Sequence, residues 1–146
     1  MAHYSFNQDL EAGLRTEQEV LTTLPLAFPG MQIIKQTSSV KEYDILISCS
    51  GKQISFEIKD DILSAATGNI AIEFECRGKP SGIAVTKADY WIQKINNRFY
   101  IIKTKELRSA IRSHLFTSST SGGDPGSKTK LFLFKQSAFL HLWIKL

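Results

Sequence analysis

Asp44, Glu57 and Lys59 are the residues whose types and spacing suit chemistry. They lie in two alternating runs, 43–49 and 53–59, on either side of a turn centred on Ser50-Gly51. Alternation with period two reads as strand, and a two- or four-residue loop at Ser50-Gly51 closes the runs into a β-hairpin. The register that follows sets Ile45 against Phe56 and Ile47 against Ile54 on an apolar face, and Asp44 against Glu57 on the polar face. Side chains so opposed have Cβ atoms roughly 4.5–5.5 Å apart, and two carboxylates at that distance repel unless a cation lies between them. A divalent metal meets the requirement, because Mg²⁺ is held by one or two carboxylates together with substrate phosphates. Lys59 projects from the same face, where its ammonium can orient a water nucleophile or neutralise charge on a phosphate. The set has the parts for phosphodiester hydrolysis. The alternative is an ordinary solvated hairpin face with Lys59 paired to one of the acids.

Such a hairpin needs a partner element, and the N-terminal segment supplies one. Residues 6–24 contain no proline and place Phe6, Leu10, Leu14, Leu21 and Leu24 at helical spacing, with Ser5 as N-cap and Pro25 as the stop. Glu17 falls on this apolar stripe. A glutamate is almost never fully buried without a partner, so Glu17 is either a third oxygen donor aimed at the hairpin's carboxylates or a side chain at the stripe's edge reaching for water.

An acidic residue in the first helix, then an Asp, then Glu-x-Lys on the second strand of a hairpin resembles the PD-(D/E)xK nuclease superfamily. The run Gly13-Leu14-Arg15-Thr16-Glu17 is similar to the Gly-then-Glu opening of several branches, including small phage endonucleases and archaeal junction resolvases. Tyr43 stands where a proline often precedes the Asp, a departure that removes no ligand. The resemblance covers roughly the first sixty residues. It implies an α/β fold with a restriction-endonuclease-like core, a central mixed β-sheet flanked by α-helices. It also implies catalytic roles for Glu17, Asp44, Glu57 and Lys59, with Asp44, Glu57 and Glu17 as metal ligands and Mg²⁺ (Mn²⁺ substituting) as cofactor.

Further along, 67–75 alternates Ile70, Ile72 and Phe74 against Ala71, Glu73 and Glu75 and is expected to continue the same sheet. The stretch 78–91 is similar to segments of phage and bacterial members in which a Ser-Gly turn opens a helix beside the active site. Ser81, Gly82 and Thr86 then offer small donors and bare backbone N–H groups to a phosphate, and Lys79 and Lys87 nearby cations, so that Lys79, Ser81, Thr86 and Lys87 are candidate DNA-binding residues. An ordinary turn and cap is the alternative. Asp60 and Asp61 read as a solvated strand end more simply than as a second metal site. Residues 98–103 read as strand, 105–113 as helix and 131–134 as a final strand. The Ser/Thr/Gly-rich 117–127 reads as a mobile loop, and 139–146 as an exposed apolar tail. Tyr90, Trp91, Phe99 and Tyr100 read mostly as core.

The charge balance is +4, from 18 Lys and Arg against 14 Asp and Glu. Its two halves differ in sign: residues 1–75 hold five basic and eleven acidic side chains, and 76–146 hold thirteen basic and three acidic. An acidic part bearing metal ligands and a basic part without them suit a metal-dependent enzyme acting on a polyanion, with DNA ahead of RNA or a membrane. At 146 residues and 42% hydrophobic content, 1–146 is expected to be a single nuclease-like domain. With no signal peptide and no transmembrane run, the expected location is cytoplasmic, a phage or other mobile element being a compatible source. Cys49 and Cys76 lack metal-ligand spacing and read as small core residues, and His3, His114 and His141 stand apart. The expectation is a Mg²⁺-dependent DNA endonuclease, structure-specific and junction-resolving as a Holliday junction resolvase is, acting as a homodimer or higher homo-oligomer. The alternatives are a sequence-specific homing or restriction-type endonuclease, and a non-catalytic DNA-binding module on the same fold.

Overall fold

The computed structural model describes residues 6–36, 42–61, 64–122 and 128–146. In chain order the elements are α1 (Phe6–Ala27), β1 (Gln32–Gln36), β2 (Ile45–Cys49), β3 (Lys52–Asp61), α2 (Ser64–Thr67), β4 (Asn69–Cys76) and β5 (Lys79–Pro80). A 3₁₀ turn (Gly82–Ala84) follows, then β6 (Tyr90–Ile95), β7 (Arg98–Lys103), α3 (Thr104–Arg112), β8 (Ser118–Gly122), β9 (Thr129–Lys135), α4 (Gln136–Phe139), a second 3₁₀ turn (Leu140–Leu142) and β10 (Ile144–Lys145). They build a six-stranded sheet in the order β1-β2-β3-β6-β7-β10 and a four-stranded sheet in the order β5-β4-β9-β8. The first is mixed: β3 and β6 run parallel, and its other neighbours run antiparallel.

The hairpin forms in the register that its alternation requires, with Ile45 opposite Phe56 and Ile47 opposite Ile54. Ser50 and Gly51 both hold positive φ at its turn. The apolar set of β2 and β3 meets Val20 and Leu24 of α1 in one buried cluster, which also takes Ile92 and Ile101 from β6 and β7. On the opposite face, Trp91, Ile95 and Ile102 pack with Leu107 and Ala110 of α3 and with Ile70, Ile72 and Phe134 of the second sheet. The central mixed sheet is thus flanked by α1 on one side and by α3 and the second sheet on the other.

Several expectations are corrected. Residues 69–76 do not continue the hairpin's sheet. Strand β4 instead pairs with β9 and β5 inside the long crossover that the parallel β3–β6 pairing demands. Helix α1 runs through Pro25 for a further turn. The helix end is held because the Phe28 N–H donates to the Leu24 carbonyl at 2.9 Å and the Phe28 ring packs edge-on against Phe56 and Tyr90. Leu14 is 45% exposed, while Thr16 is buried and donates to Asp60 Oδ2 at 3.1 Å, so the buried stripe of α1 is turned from the one its leucines suggest. Ser5 and the side chains of Phe6 and Leu10 lie outside the described residues. Of the expected mobile loop, 118–122 is strand β8, paired to β9, and 123–127 lies outside the described residues. The apolar tail is not simply exposed: Phe139 and Trp143 are buried, with Phe139 stacked on Phe134 at 4.1 Å. Ile144 remains 70% exposed. Neither Cys49 nor Cys76 is fully buried.

Candidate active site

At the end of the hairpin away from its turn, the chain enters β2 through Asp44. The Asp44 N–H donates to the Phe56 carbonyl at 2.8 Å, extending the ladder by one bond, and Asp44 Oδ2 accepts the Ile58 N–H at 2.8 Å. One carboxylate oxygen is therefore anchored to the backbone between Glu57 and Lys59, which fixes the group beside them. Lys59 Nζ lies 3.6 Å from Glu57 Oε1, the two side chains leaving β3 on the same face two residues apart.

The electrostatics are those of like charges held together. Burial pushes the Glu57 carboxyl up to about 6, and the neighbouring Asp44 adds to the rise against the opposing pull of Lys59 and Thr86. Asp44 is raised chiefly by burial, with the Ile58 N–H and Lys59 pulling it back. Glu17 is raised by burial and then by Asp44. All three carboxylates thus carry an unmet demand for positive charge, and one lysine answers part of it. Among the described residues no three His, Cys, Asp or Glu side chains converge closely enough to cage an ion. Mg²⁺ does not need such a cage, since it keeps several waters and takes one or two carboxylates plus substrate phosphates. Asp44 and Glu57 fit that demand, with Glu17 at longer range.

Thr86 belongs with this group. Its Oγ1 lies 3.4 Å from Glu57 Oε2 and 3.3 Å from the Glu42 carbonyl, with one proton to give to either, and it accepts the Ala88 N–H at 3.2 Å. Lys87 is close by, paired with Glu42 at 3.3 Å and exposed. The turn that delivers Thr86 depends on Gly82, which has φ +52°. A Cβ there would collide with the Glu73 carbonyl oxygen, so no other residue fits without moving β4. Ser81 and Lys79 stand differently. The Ser81 hydroxyl is shielded from solvent and has no hydrogen-bond partner among the described residues, so a phosphate cannot reach it in this arrangement. Lys79 is exposed on the short strand β5 of the second sheet, and no ion pair or hydrogen bond among the described residues links it to the carboxylates.

Three residues that sequence reasoning did not assign to the site support it from below. The Lys59 ammonium lies 5.9 Å from the centroid of the Trp91 ring, within reach of a cation–π attraction. The Trp91 indole N–H donates to Gln93 Oε1 at 2.8 Å, and Gln93 Nε2 donates to Asp61 Oδ2 at 2.9 Å and to the Ala71 carbonyl at 3.1 Å. Asp61 Oδ2 also accepts the Ala71 N–H at 3.0 Å. Asp61 is therefore a brace between the two sheets, and the reading of Asp60 and Asp61 as a solvated strand end is corrected for Asp61. Its carboxyl too is raised by burial, against the Ala71 and Gln93 hydrogen bonds. The available signal was Gln93 itself, an amide inside the apolar run Tyr90-Trp91-Ile92-Gln93, which is 1% exposed and must find partners.

No family model matches the chain, and neither does any curated protein. Among solved structures it is similar to a bacterial homing endonuclease, I-Ssp6803I, with a TM-score of 0.49 and 16% identity over 69% of this chain and 72% of that one.

Proposed function

We propose that this chain is a Mg²⁺-dependent DNA endonuclease, Mn²⁺ substituting. The observation that carries the reading is the convergence of Asp44, Glu57 and Lys59 at one end of the β2–β3 hairpin, with a third carboxylate, Glu17 of α1, near enough to Asp44 to feel its charge. Asp44 and Glu57 would hold the metal, with Glu17 assisting directly or through water. When bound, the ion would supply Lewis-acid activation of the phosphate and of the attacking water. Asp44 presents its remaining oxygen from a position fixed by the Ile58 N–H. Lys59 orients the nucleophile or meets the charge that develops on the phosphate. Thr86, held on the Glu57 side, restrains that carboxylate.

A branched duplex remains the first substrate for a catalytic core of this size. A specific observation favours a second reading, a sequence-specific enzyme. The four-stranded sheet is an addition to the hairpin's sheet, and its strand β8 (Ser118–Gly122) carries Ser118, Ser119 and Thr120, all exposed, beside β9 with Lys130. As the edge strand of that sheet, β8 can present these hydroxyls to the base edges of a groove.

The test is cleavage of a labelled four-way junction and of linear duplexes, in Mg²⁺ or EDTA, by wild type, Lys59→Ala and Glu57→Ala. Metal-dependent cutting that falls by at least roughly 10²–10³-fold in both variants is expected, the scale for losing a charge-stabilising group. Undiminished cutting by Lys59→Ala refutes the assignment. Cutting of junctions regardless of sequence selects the first substrate class, and discrete bands from linear DNA the second.

A further inference from the structure

Helix α3 turns Leu107 and Ala110 into the core, which leaves it two flanks. Glu106 and Ser109 lie on one, beside Leu115 and Leu142. On the other, Lys105, Arg108 and Arg112 line a cleft of about 250 Å³ together with Ala88, Asp89 and Thr104. Spacings of three and four residues bring these cations to one side of a helix. The cleft adjoins the carboxylates through Thr86. Arg108 Nη2 donates to the Thr86 carbonyl at 2.5 Å, while the Thr86 hydroxyl faces Glu57.

The charge in this cleft is largely unspent. Lys105 and Arg112 are exposed and make no ion pair among the described residues. Arg108 uses Nε and Nη2 on the Ile83 and Thr86 carbonyls, which leaves both Nη1 donors without a partner among the described residues. The acid of the cleft, Asp89, has Oδ2 already accepting the Ser55 N–H at 2.9 Å and the Ser55 hydroxyl at 3.2 Å. Thr104, in the same lining, has a buried hydroxyl with no partner among the described residues. The volume falls below the roughly 300–1,000 Å³ of small-molecule sites, and three cations are not the apolar lining that such ligands use. A phosphate carried on a polymer fits both facts.

We propose that Lys105 and Arg112, with Arg108 Nη1 between them, bind the backbone of duplex DNA at a phosphate flanking the one held at Asp44 and Glu57. The inference rests on the nuclease reading and moves the phosphate-binding surface from Lys79 and Ser81 to α3. Its partner is duplex DNA because the hydrogen bonds of Thr86 to Arg108 and Glu57 link the cleft to the site proposed for a phosphodiester.

The experiment is binding of a labelled linear duplex to the full chain in EDTA, measured over a range of NaCl concentrations, for wild type, Lys105→Gln/Arg112→Gln and the control Lys145→Gln on β10. Each phosphate neutralised contributes about 0.9 to the slope of log K against log salt, so loss of this one contact should make the double variant shallower by about 0.9 and leave the control unchanged. Both substituted side chains are exposed, and an unaltered thermal midpoint would show that the fold is kept. An unchanged slope in the double variant overturns the proposal, as does a wild type that binds no duplex. Cleavage in Mg²⁺ is scored separately. A wild type that cuts with an unaltered slope in the variant defeats this inference alone, and a slope that falls as expected while neither four-way junctions nor linear duplexes of varied sequence are cut supports it and defeats the nuclease reading alone.

Discussion

Glu57 is placed where a carboxylate is costly to ionise, with 13% of its side chain exposed, Asp44 beside it and a lysine 3.6 Å away. A carboxyl that moves from its ordinary 4.5 to about 6 in the folded state binds protons more tightly there than in the unfolded chain. The native state therefore holds the extra proton between these values, and stability falls as pH rises from about 4.5 through 6, by about 2 kcal/mol for this group. The Glu57→Gln variant should lack that loss. It is expected to unfold at higher denaturant than wild type at pH 7.5, to approach wild type near pH 4.5, and to be inactive. Mg²⁺ should narrow the gap by stabilising ionised Glu57 in the wild type, and equal stability of the two proteins across this pH range would contradict the account. Cleavage should run the other way, rising with pH through about 6 as Glu57 ionises. The carboxylates and Lys59 were legible from residue type and spacing. The partnership of Thr86 with Glu57 was not, because it depends on how a turn 29 residues away in sequence comes to rest.

At the level of elements, the hairpin followed from short-range information. A period of two and a tight turn settle which residues oppose one another, and Ile45–Phe56 and Ile47–Ile54 pair as that pattern requires. Helix α1 was harder to read, since its leucine spacing put Leu14 on the buried stripe, whereas Leu14 is exposed and Thr16 is buried with Asp60 as a partner. The brace Trp91–Gln93–Asp61 links β6, β3 and β4, and it predicts the behaviour of a single change. Gln93→Leu leaves the Asp61 carboxylate short of a donor and the Trp91 N–H short of an acceptor in a dry interior. A loss of about 2–4 kcal/mol is expected on the scale of about 1–3 kcal/mol per stranded group, together with slower cleavage because the ring beneath Lys59 loses its anchor. Chemical denaturation and single-turnover cleavage would measure the two effects, and a variant as stable as wild type would show that the brace is dispensable.

For the whole molecule, the parallel pairing of β3 with β6 sets Glu57 beside Trp91 and Lys59 beside Gln93, and so joins the acidic first half of the chain to the basic second half. Cutting both strands of a duplex calls for two such sites, so a symmetric dimer is the expected working unit. Sedimentation at working concentration with DNA present should give twice the mass of one chain, and a monomer there would refute the expectation. With Phe139 and Trp143 in the core, Leu142 and Ile144 are what the tail has left to offer a second copy. No helix among the described residues is long and apolar enough to cross a membrane. The sequence by itself determined the hairpin, its register and the shared face of Glu57 and Lys59, because alternation and a two-residue turn act over a few residues. Only the tertiary structure decided that 69–76 leaves the hairpin's sheet, that Trp91 lies under Lys59, that α3 lines one cleft with three cations and joins it to Thr86 through Arg108, and that the apolar tail is partly buried. Each of these depends on packing and hydrogen bonds between segments far apart in the chain, which no local pattern of residues encodes.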